Sequence, residues 1–357
     1  MEQKMKILLS VVLAVIVVVS GIGVYEYYAT QSKQKEVVIY ADYSPSLVQP
    51  LFNDFQNATG IKVIVQYGAM GTLQGKLISS KGSPQADVLF GGAPSAYISV
   101  GSQGILQSYT PPAIANQSEY IGNHVLWRSG NWTWFPYSYA VLGLSINYKL
   151  LANSSDPTNF TQLTNSEYKG KLVLENPTTS TTTGIAFYSM VEQYYIDHYG
   201  NATGTQMFTS YMRGLFNNSV AQTPSDDENA EVVLGTGGGA ITIDWSYMPT
   251  LYDQLNSGYT LKPDLLSTAV LGASGMAVIN GAPHQGNAEA FVNWILSKQG
   301  QTDIGTILHK PPVVSGVPIP AGSFSLSSII PVAFPYSQSF TTTHATQIDN
   351  LFQTYDA

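Results

Sequence analysis

The chain predicts an α/β fold of two halves, each a mainly parallel sheet flanked by helices, behind an N-terminal transmembrane helix. Three observations carry this. Short apolar runs alternate with helical spacings, the alternation restarts after a tryptophan-rich stretch, and 357 residues are long for one core. Hydrophobic residues at 44% and aromatics at 11% exclude a disordered chain. Charged residues are only 11%, against roughly 25% in ordinary soluble domains. Ser, Thr, Asn, Gln and Tyr fill the polar surface instead. A net charge of −8 indicates neither a nucleic-acid partner nor an anionic lipid surface. With no cysteine there is no disulfide, thiolate metal site or cysteine nucleophile.

The N-terminus sets the compartment. Lys4 and Lys6 precede an unbroken apolar and small-residue run from Ile7 to Val24, and Tyr25, Tyr27 and Tyr28 follow where an interfacial aromatic belt would lie. At about 1.5 Å per residue the run crosses most of a ~30 Å hydrocarbon core. No A-x-A cleavage site follows it. Residues 1–35 therefore read as a membrane anchor and linker, with a cleaved signal peptide and secretion as the competing reading. Asn57, Asn116, Asn131, Asn153, Asn159, Asn201 and Asn217 each open an N-x-Ser/Thr sequon, which predicts a glycosylated cell-surface domain. The scarcity of carboxylates suits an acidic milieu, because few must stay ionised for the fold to hold.

The fold begins at Val37. A buried strand over Val37 to Tyr40 leads to a helix carrying Leu47, Leu51, Phe52 and Phe55, which Gly60 stops, and Ile61 to Val65 is the next strand. A strand, helix, strand unit implies parallel pairing. A helix over Gly71 to Ser80, a strand over Asp87 to Phe90 and a helix from Pro94 to Val100 continue the pattern. Ligands of open parallel sheets lie at strand carboxyl ends. That rule nominates Tyr43 and Ser44, then Met70, Gly71 and Thr72, then Gly92.

The second half starts with a strand over Val141 to Asn147, after a loop-like stretch holding Trp127, Trp132 and Trp134. A strand over Leu172 to Glu175 then runs into Asn176-Pro177 and six hydroxyl residues, Thr178 to Thr183. A hydroxyl-rich turn feeding a helix N-terminus gathers donors where negative charge is favoured. Thr179, Ser180, Thr181 and Thr182 are thus candidate grips for a polar ligand, or alternatively part of a helix cap. Helices follow over Gly184 to His198 and Thr205 to Phe216, and Ser225 with Glu228 forms a capping box. The rest reads as a strand over Ala240 to Asp244, a helix over Met248 to Leu255, a strand over Gly275 to Ile279 and a helix over Ala288 to Ser297.

Several segments, in this order, resemble the extracellular solute-binding proteins of ABC importers: YSPSLVQPLFNDFQNATGIKV, ADVLFGGAPSAYISVGSQGIL, YAVLGLSINYKLL, NPTTSTTTG, GGGAITID and PPVVSGVPIP. The similarity runs from about Val37 to Pro320 and is greatest to the branch of ferric-ion, thiamine and related small-solute binders. It implies a two-lobed type II periplasmic-binding-protein-like fold, with residues 36–136 and 272–304 as lobe 1 and 137–271 and 305–357 as lobe 2. It also implies a small-molecule solute held between the lobes and delivered to a separate permease and ATPase. In that family the Ser/Thr/Gly turn holds oxyanions, and ferric-ion members carry two adjacent tyrosines after the strand equivalent to Ala240 to Ile243. This chain has Asp244-Trp245-Ser246-Tyr247 there, so ferric ion or a bare oxyanion stands as the alternative solute. Trp245 could present its ring face and Asp244 its charge to a thiamine-like organic cation, or Trp245 packs in the hinge and Asp244 caps a helix. Tyr247 completes this group. The pair Tyr194-Tyr195 lies in a helical pattern, where packing explains it.

The remaining motifs exclude more than they suggest. The five histidines show no H-E-x-x-H or other close ligand spacing, and no G-x-S-x-G elbow occurs. The GTGGGA run from Gly235 follows a helix and precedes a strand, the reverse of a phosphate loop. Asp226, Asp227 and Glu228 suit a first helical turn. No cofactor and no enzymatic activity is expected. An anchored hydrolase or a structural surface glycoprotein are the readings from other classes.

Overall fold

The computed structural model describes residues 35–122, 125–151, 156–178, 183–223, 239–255, 261–335 and 337–356. The apolar N-terminal run, the Asn153 sequon, Thr179 to Thr182, the Ser225/Glu228 box, the acidic trio and most of the GTGGGA run lie outside the described residues. Among the described residues no helix is long and apolar enough to cross a membrane.

The first lobe is built as the alternation predicts. It contains β1 (Glu36–Ala41), α1 (Pro45–Thr59), β2 (Lys62–Tyr67), α2 (Met70–Ser79), β3 (Val88–Phe90) and α3 (Pro94–Gly101). Val48, Leu51, Phe52 and Phe55 form the buried stripe of α1 at helical spacing. Gly60 ends that helix in the left-handed region at φ 69°, where a side chain would be strained, and its N–H satisfies the Gln56 carbonyl. β1 pairs in parallel with both β2 and β3. The core beneath is aromatic, with Phe52 edge-on to Phe90 at 5.7 Å and Phe55 edge-on to Phe291 at 5.1 Å.

A two-stranded ribbon, β4 (Tyr120–Ile121) and β5 (Val125–Leu126), precedes β6 (Phe135–Asn147), a strand of 13 residues that is buried throughout. There follow β7 (Leu172–Glu175), α4 (Thr183–Tyr199), α5 (Asn201–Asn218), β8 (Ser219–Thr223), β9 (Ile241–Trp245), α6 (Met248–Leu255), β10 (Leu261–Asp264) and β11 (Val270–Val278). The chain closes with α7 (Gln285–Ile295), α8 (Lys298–Ile307), the single-turn α9 (Leu326–Ile329) and α10 (Gln338–Asp356).

One continuous sheet joins the halves, in the order β2-β1-β3-β11-β6-β9-β7-β8, with β10 also on β6. β6 and β11 are antiparallel partners that belong to both lobes. The change of core falls between Val141 and Leu142: residues up to Val141 pack with β1, α1 and α7, and those from Leu142 pack with α4, α5 and α10. Both strands are longer than the sequence predicts, β6 beginning at Phe135 rather than Val141 and β11 at Val270 rather than Gly275. A strand buried on both faces shows no alternation, and Pro136, Gly272 and Gly275 read as breakers although they pair within the ladder. In α4, Tyr194 and Tyr195 pack on Phe160 at 5.1 and 6.0 Å.

A long C-terminal helix is clamped by one buried pair. His344 of α10 lies 3.2 Å from the fully buried Glu192 carboxylate of α4, and Gln347 donates to the other Glu192 oxygen at 2.8 Å. Burial raises the carboxyls of Glu192, Asp264, Asp303 and Asp349 above their ordinary range. A carboxyl with a raised folded pKa favours the folded state below about pH 4, and that contribution fades as pH rises through the raised value. Burial lowers the His309 imidazole, which acts oppositely: its contribution is present above about pH 6.5 and fades as pH falls. Among the described groups four such carboxyls oppose one imidazole, so the urea midpoint is expected to be no lower at pH 5 than at pH 7, which a denaturation series checks.

Candidate functional site

The sheet directs its strand ends at one place. β3 runs antiparallel to β11 and stops with Phe90 beside Met276, whereas β9 runs parallel to β11 and stops with Trp245 beside Leu142, itself level with Val270. The carboxyl ends of the two half-sheets thus approach each other from opposite ends of β11. Residues 271–275 span the gap, about 20 Å from Val270 to Met276 at the usual strand rise. Carboxyl ends are where open sheets place ligands, and here two sets face each other.

Five side chains from separate segments meet in that gap. Tyr43 follows β1, Tyr137 lies in β6, Ser274 in β11, Tyr247 follows β9, and Lys310 follows α8. The buried Lys310 ammonium donates to the Tyr43 hydroxyl at 2.7 Å and to the Ser274 hydroxyl at 3.2 Å. It also faces the Tyr247 ring at 4.1 Å and the Tyr43 ring at 5.1 Å from the centroids. The hydroxyls of Tyr43 and Tyr137 are hydrogen-bonded to each other. Burial pushes both phenols well above the ordinary tyrosine range, so both stay protonated at neutral pH. The Asp42 carboxylate, whose charge also raises Tyr43, borders the group beside Gly92.

Local structure aims the lysine. His309, just past the C-cap of α8, holds φ 52°, a left-handed conformation uncommon outside glycine. Gln301 of α8 is wholly buried and donates to the carbonyls of Tyr137 at 2.8 Å and Ile295 at 3.0 Å, while accepting from the Val313 amide at 2.7 Å. One amide thereby ties β6, α8 and the chain after Lys310 together. Tyr137 is held from its other side by stacking on Phe90 at 4.3 Å.

The residues nominated from sequence separate into groups. Tyr43 and Tyr247 enter the cluster. Ser44 is exposed just ahead of α1, with its hydroxyl 3.4 Å from that of Ser46. Met70 is buried at the start of α2 and covers Gly92, while Gly71 and Thr72 are exposed on the first turn. Asp244 is buried, accepting from the Trp245 amide at 2.7 Å and the Ser145 hydroxyl at 3.3 Å. The Trp245 indole lies over Gly272, where a Cβ would come within 2.7 Å of the ring. Of the hydroxyl turn, Thr183 is buried at the start of α4, at the same edge as Tyr247. Lys310, Tyr137 and Ser274 were not nominated. Lys310 had a signal, being a cation directly before Pro311-Pro312 in a chain with only 15 Lys and Arg.

Comparison with known proteins adds the family. The profile of bacterial extracellular solute-binding proteins matches residues 51–323. Iron uptake protein A1 of Synechocystis is 20% identical over 302 residues, covering 81% of this chain and 79% of its own. Iron-bound HitA of Pseudomonas aeruginosa superposes with a TM-score of 0.72 at 18% identity, covering 90% of this chain and 99% of its own. AfuA of Actinobacillus pleuropneumoniae, with fructose-6-phosphate bound, gives 0.71 at 19% identity over 88% and 96%. The match over most of the folded chain, on a two-lobed α/β frame whose strand ends converge between the lobes, places this chain in the bacterial extracellular solute-binding protein family, whose members bind rather than transform their solutes.

Proposed function

We propose that this protein captures a small polar or charged solute between its lobes and hands it to the permease and ATPase of an ABC importer. The observation that carries the reading is the meeting of Tyr43, Tyr137, Tyr247, Ser274 and Lys310 at mid-span of the crossing strands. The apolar run from Ile7 to Val24 would anchor the protein on the extracytoplasmic face of the membrane. The proposed lobes are residues 36–136 with 272–304, and 137–271 with 305–357. A thermal-shift screen of the full-length protein against charged and neutral small solutes tests the reading. At 100 times the dissociation constant a bound solute should add about 2.7 kcal/mol of stability, raising Tm by several degrees.

The iron-binding relatives and three converging tyrosines favour ferric ion as a second reading, one that requires phenolate ligands. A unit cation brought to ~5 Å from the Lys310 ammonium would meet about 3 kcal/mol of repulsion at an effective dielectric near 20, and a trivalent ion more. A thiamine-like cation against Trp245 has less support, since that indole covers Gly272 and Asp244 accepts from Ser145 and the chain's own amide.

Surface modification belongs to the same proposal. Asn57, Asn116, Asn131, Asn201 and Asn217 are exposed. Asn159 instead accepts from the Thr161 and Gln162 amides in a capping box. Glycans are expected on members of the exposed set and not on Asn159. Peptide mass spectrometry of protein from its native source would show them, and unmodified asparagines throughout would reject this.

A further inference from the structure

We infer that Gln301 is the positioning residue of the candidate site: its buried amide holds a β-bulge that turns the Tyr137 phenol onto the face of Ser274. This rests on the solute-binding reading above and names a residue that governs affinity there without touching the solute.

The ladder between β6 and β11 slips by one residue at the site. Ser274 is level with Ser138, but Gly275 is level with Pro136, so Tyr137 is the extra residue of a bulge in β6. Pro136 has no N–H to give the ladder, and Gly275 has no side chain to resist the bend. Successive side chains of a regular strand point to opposite faces. Tyr137 would then face away from Ser138 and from Ser274 beside it. The extra residue breaks that alternation: the Tyr137 hydroxyl is hydrogen-bonded to that of Tyr43, and the hydroxyls of Tyr43 and Ser274 both accept from Lys310.

A bulge frees backbone groups from the ladder, and in a buried strand each freed group needs another partner. Gln301 supplies one on β6. Its wholly buried amide donates to the Tyr137 carbonyl at 2.8 Å and to the Ile295 carbonyl at 3.0 Å. Its oxygen accepts from the Val313 amide at 2.7 Å, three residues beyond Lys310. On β11 the Tyr97 hydroxyl meets the Gly275 carbonyl at 2.6 Å. A primary amide has two donors beside one acceptor oxygen, which no other uncharged side-chain group offers. An apolar side chain of the same length would therefore fill the space of Gln301 and leave the Tyr137 carbonyl without this donor.

Hydrogen exchange and binding, both on the full-length protein in detergent, test this. In Gln301→Met, backbone exchange read by mass spectrometry should quicken about 10-fold in peptides spanning residues 135–142, as the bulge loses its anchor. Leu77→Ala, which opens a cavity at a buried position of α2 and should lower Tm comparably, should leave those peptides nearly unchanged. Equal acceleration in both variants, or none in either, would overturn the inference. For affinity, fructose 6-phosphate, thiamine and ferric nitrilotriacetate are titrated separately by calorimetry, and the tightest binder is carried through the variants. Tyr137→Phe and Gln301→Met should each weaken it about 10-fold, and the double variant also about 10-fold rather than about 100-fold, because Gln301 acts through Tyr137. Losses that multiply would overturn the inference and leave the solute-binding reading standing. Flat titrations with all three probes would count against the solute-binding reading, and the exchange comparison would then decide the bulge. Should Gln301→Met fail to fold, as judged by melting without solute, Gln301→Asn, which keeps the amide but not its reach, takes its place in both measurements.

Discussion

Replacing Asp87 with alanine should lower the unfolding free energy by about 3–5 kcal/mol, the largest single-residue effect expected outside the apolar cores. Its carboxylate is wholly buried and answers three donors from two parts of the chain. One oxygen accepts from the Val38 amide at 2.7 Å and the His284 imidazole at 2.9 Å, and the other from the His284 amide at 2.7 Å. Residue 87 thus fastens β1 to the turn that opens α7, a link across almost 200 residues of chain. Alanine would leave two half-buried amides without this acceptor. Asp87→Asn keeps one acceptor oxygen and should cost roughly half as much. A Tm fall of about 10 °C for the alanine variant, at the usual few degrees per kcal/mol, is the readout. A change below 2 °C would mean that water replaces the carboxylate, and the account would be wrong.

The second large effect is expected at Gly275, one residue beyond Ser274 at the register shift of β11. The Tyr97 ring lies directly against it, so a Cβ there would be 2.4 Å from one ring carbon and 2.7 Å from another. Tyr97 cannot yield, because it is fully buried and its hydroxyl lies 2.6 Å from the Gly275 carbonyl and 2.5 Å from that of Gly91. Gly275→Val should therefore destabilise by about 3 kcal/mol or more through overpacking. It should also weaken solute binding, because Gly275 exchanges backbone hydrogen bonds with Gly91 and Gly92 and directly follows Ser274 of the proposed site. Gly75→Ala is the control. Nothing lies within 4 Å of its Cβ position on α2, and alanine there should stabilise by roughly 0.5–1 kcal/mol. Melting curves of both variants, with a titration of the first, separate the cases.

The first lobe was legible because its strands are short and its helices amphipathic, so α1 and β1 to β3 fall within a residue or two of the periodic pattern. The two crossing strands were not. Phe135 to Ala140 and Val270 to Ser274 are buried on both faces, and their prolines and glycines resemble turn residues. β8 and α10 were missed for the opposite reason, since Ser219–Thr223 and Gln338–Asp356 are polar enough to read as loop. At the site, the rule for strand ends found Tyr43, and the family resemblance led to the segment reaching Tyr247. It could not find Lys310, which no strand end carries and which a left-handed His309 turns inward. Ser274 and Tyr137 escaped because mid-strand residues become accessible only where two half-sheets leave a gap between them.

That gap has a mechanical consequence. Among the described residues the lobes are joined by a paired ribbon, β6 laddered to β11 from Phe135 to Leu142, and by the segment that leads from α8 to α10. Such a ribbon resists stretching and shear but can flex and coil. Its compliance is expected where the ladder already slips, at Ser274 and Gly275, beneath the proposed solute site. Opening and closing would then be the bending of a leaf spring loaded at its centre, with the cargo resting on the point of greatest curvature.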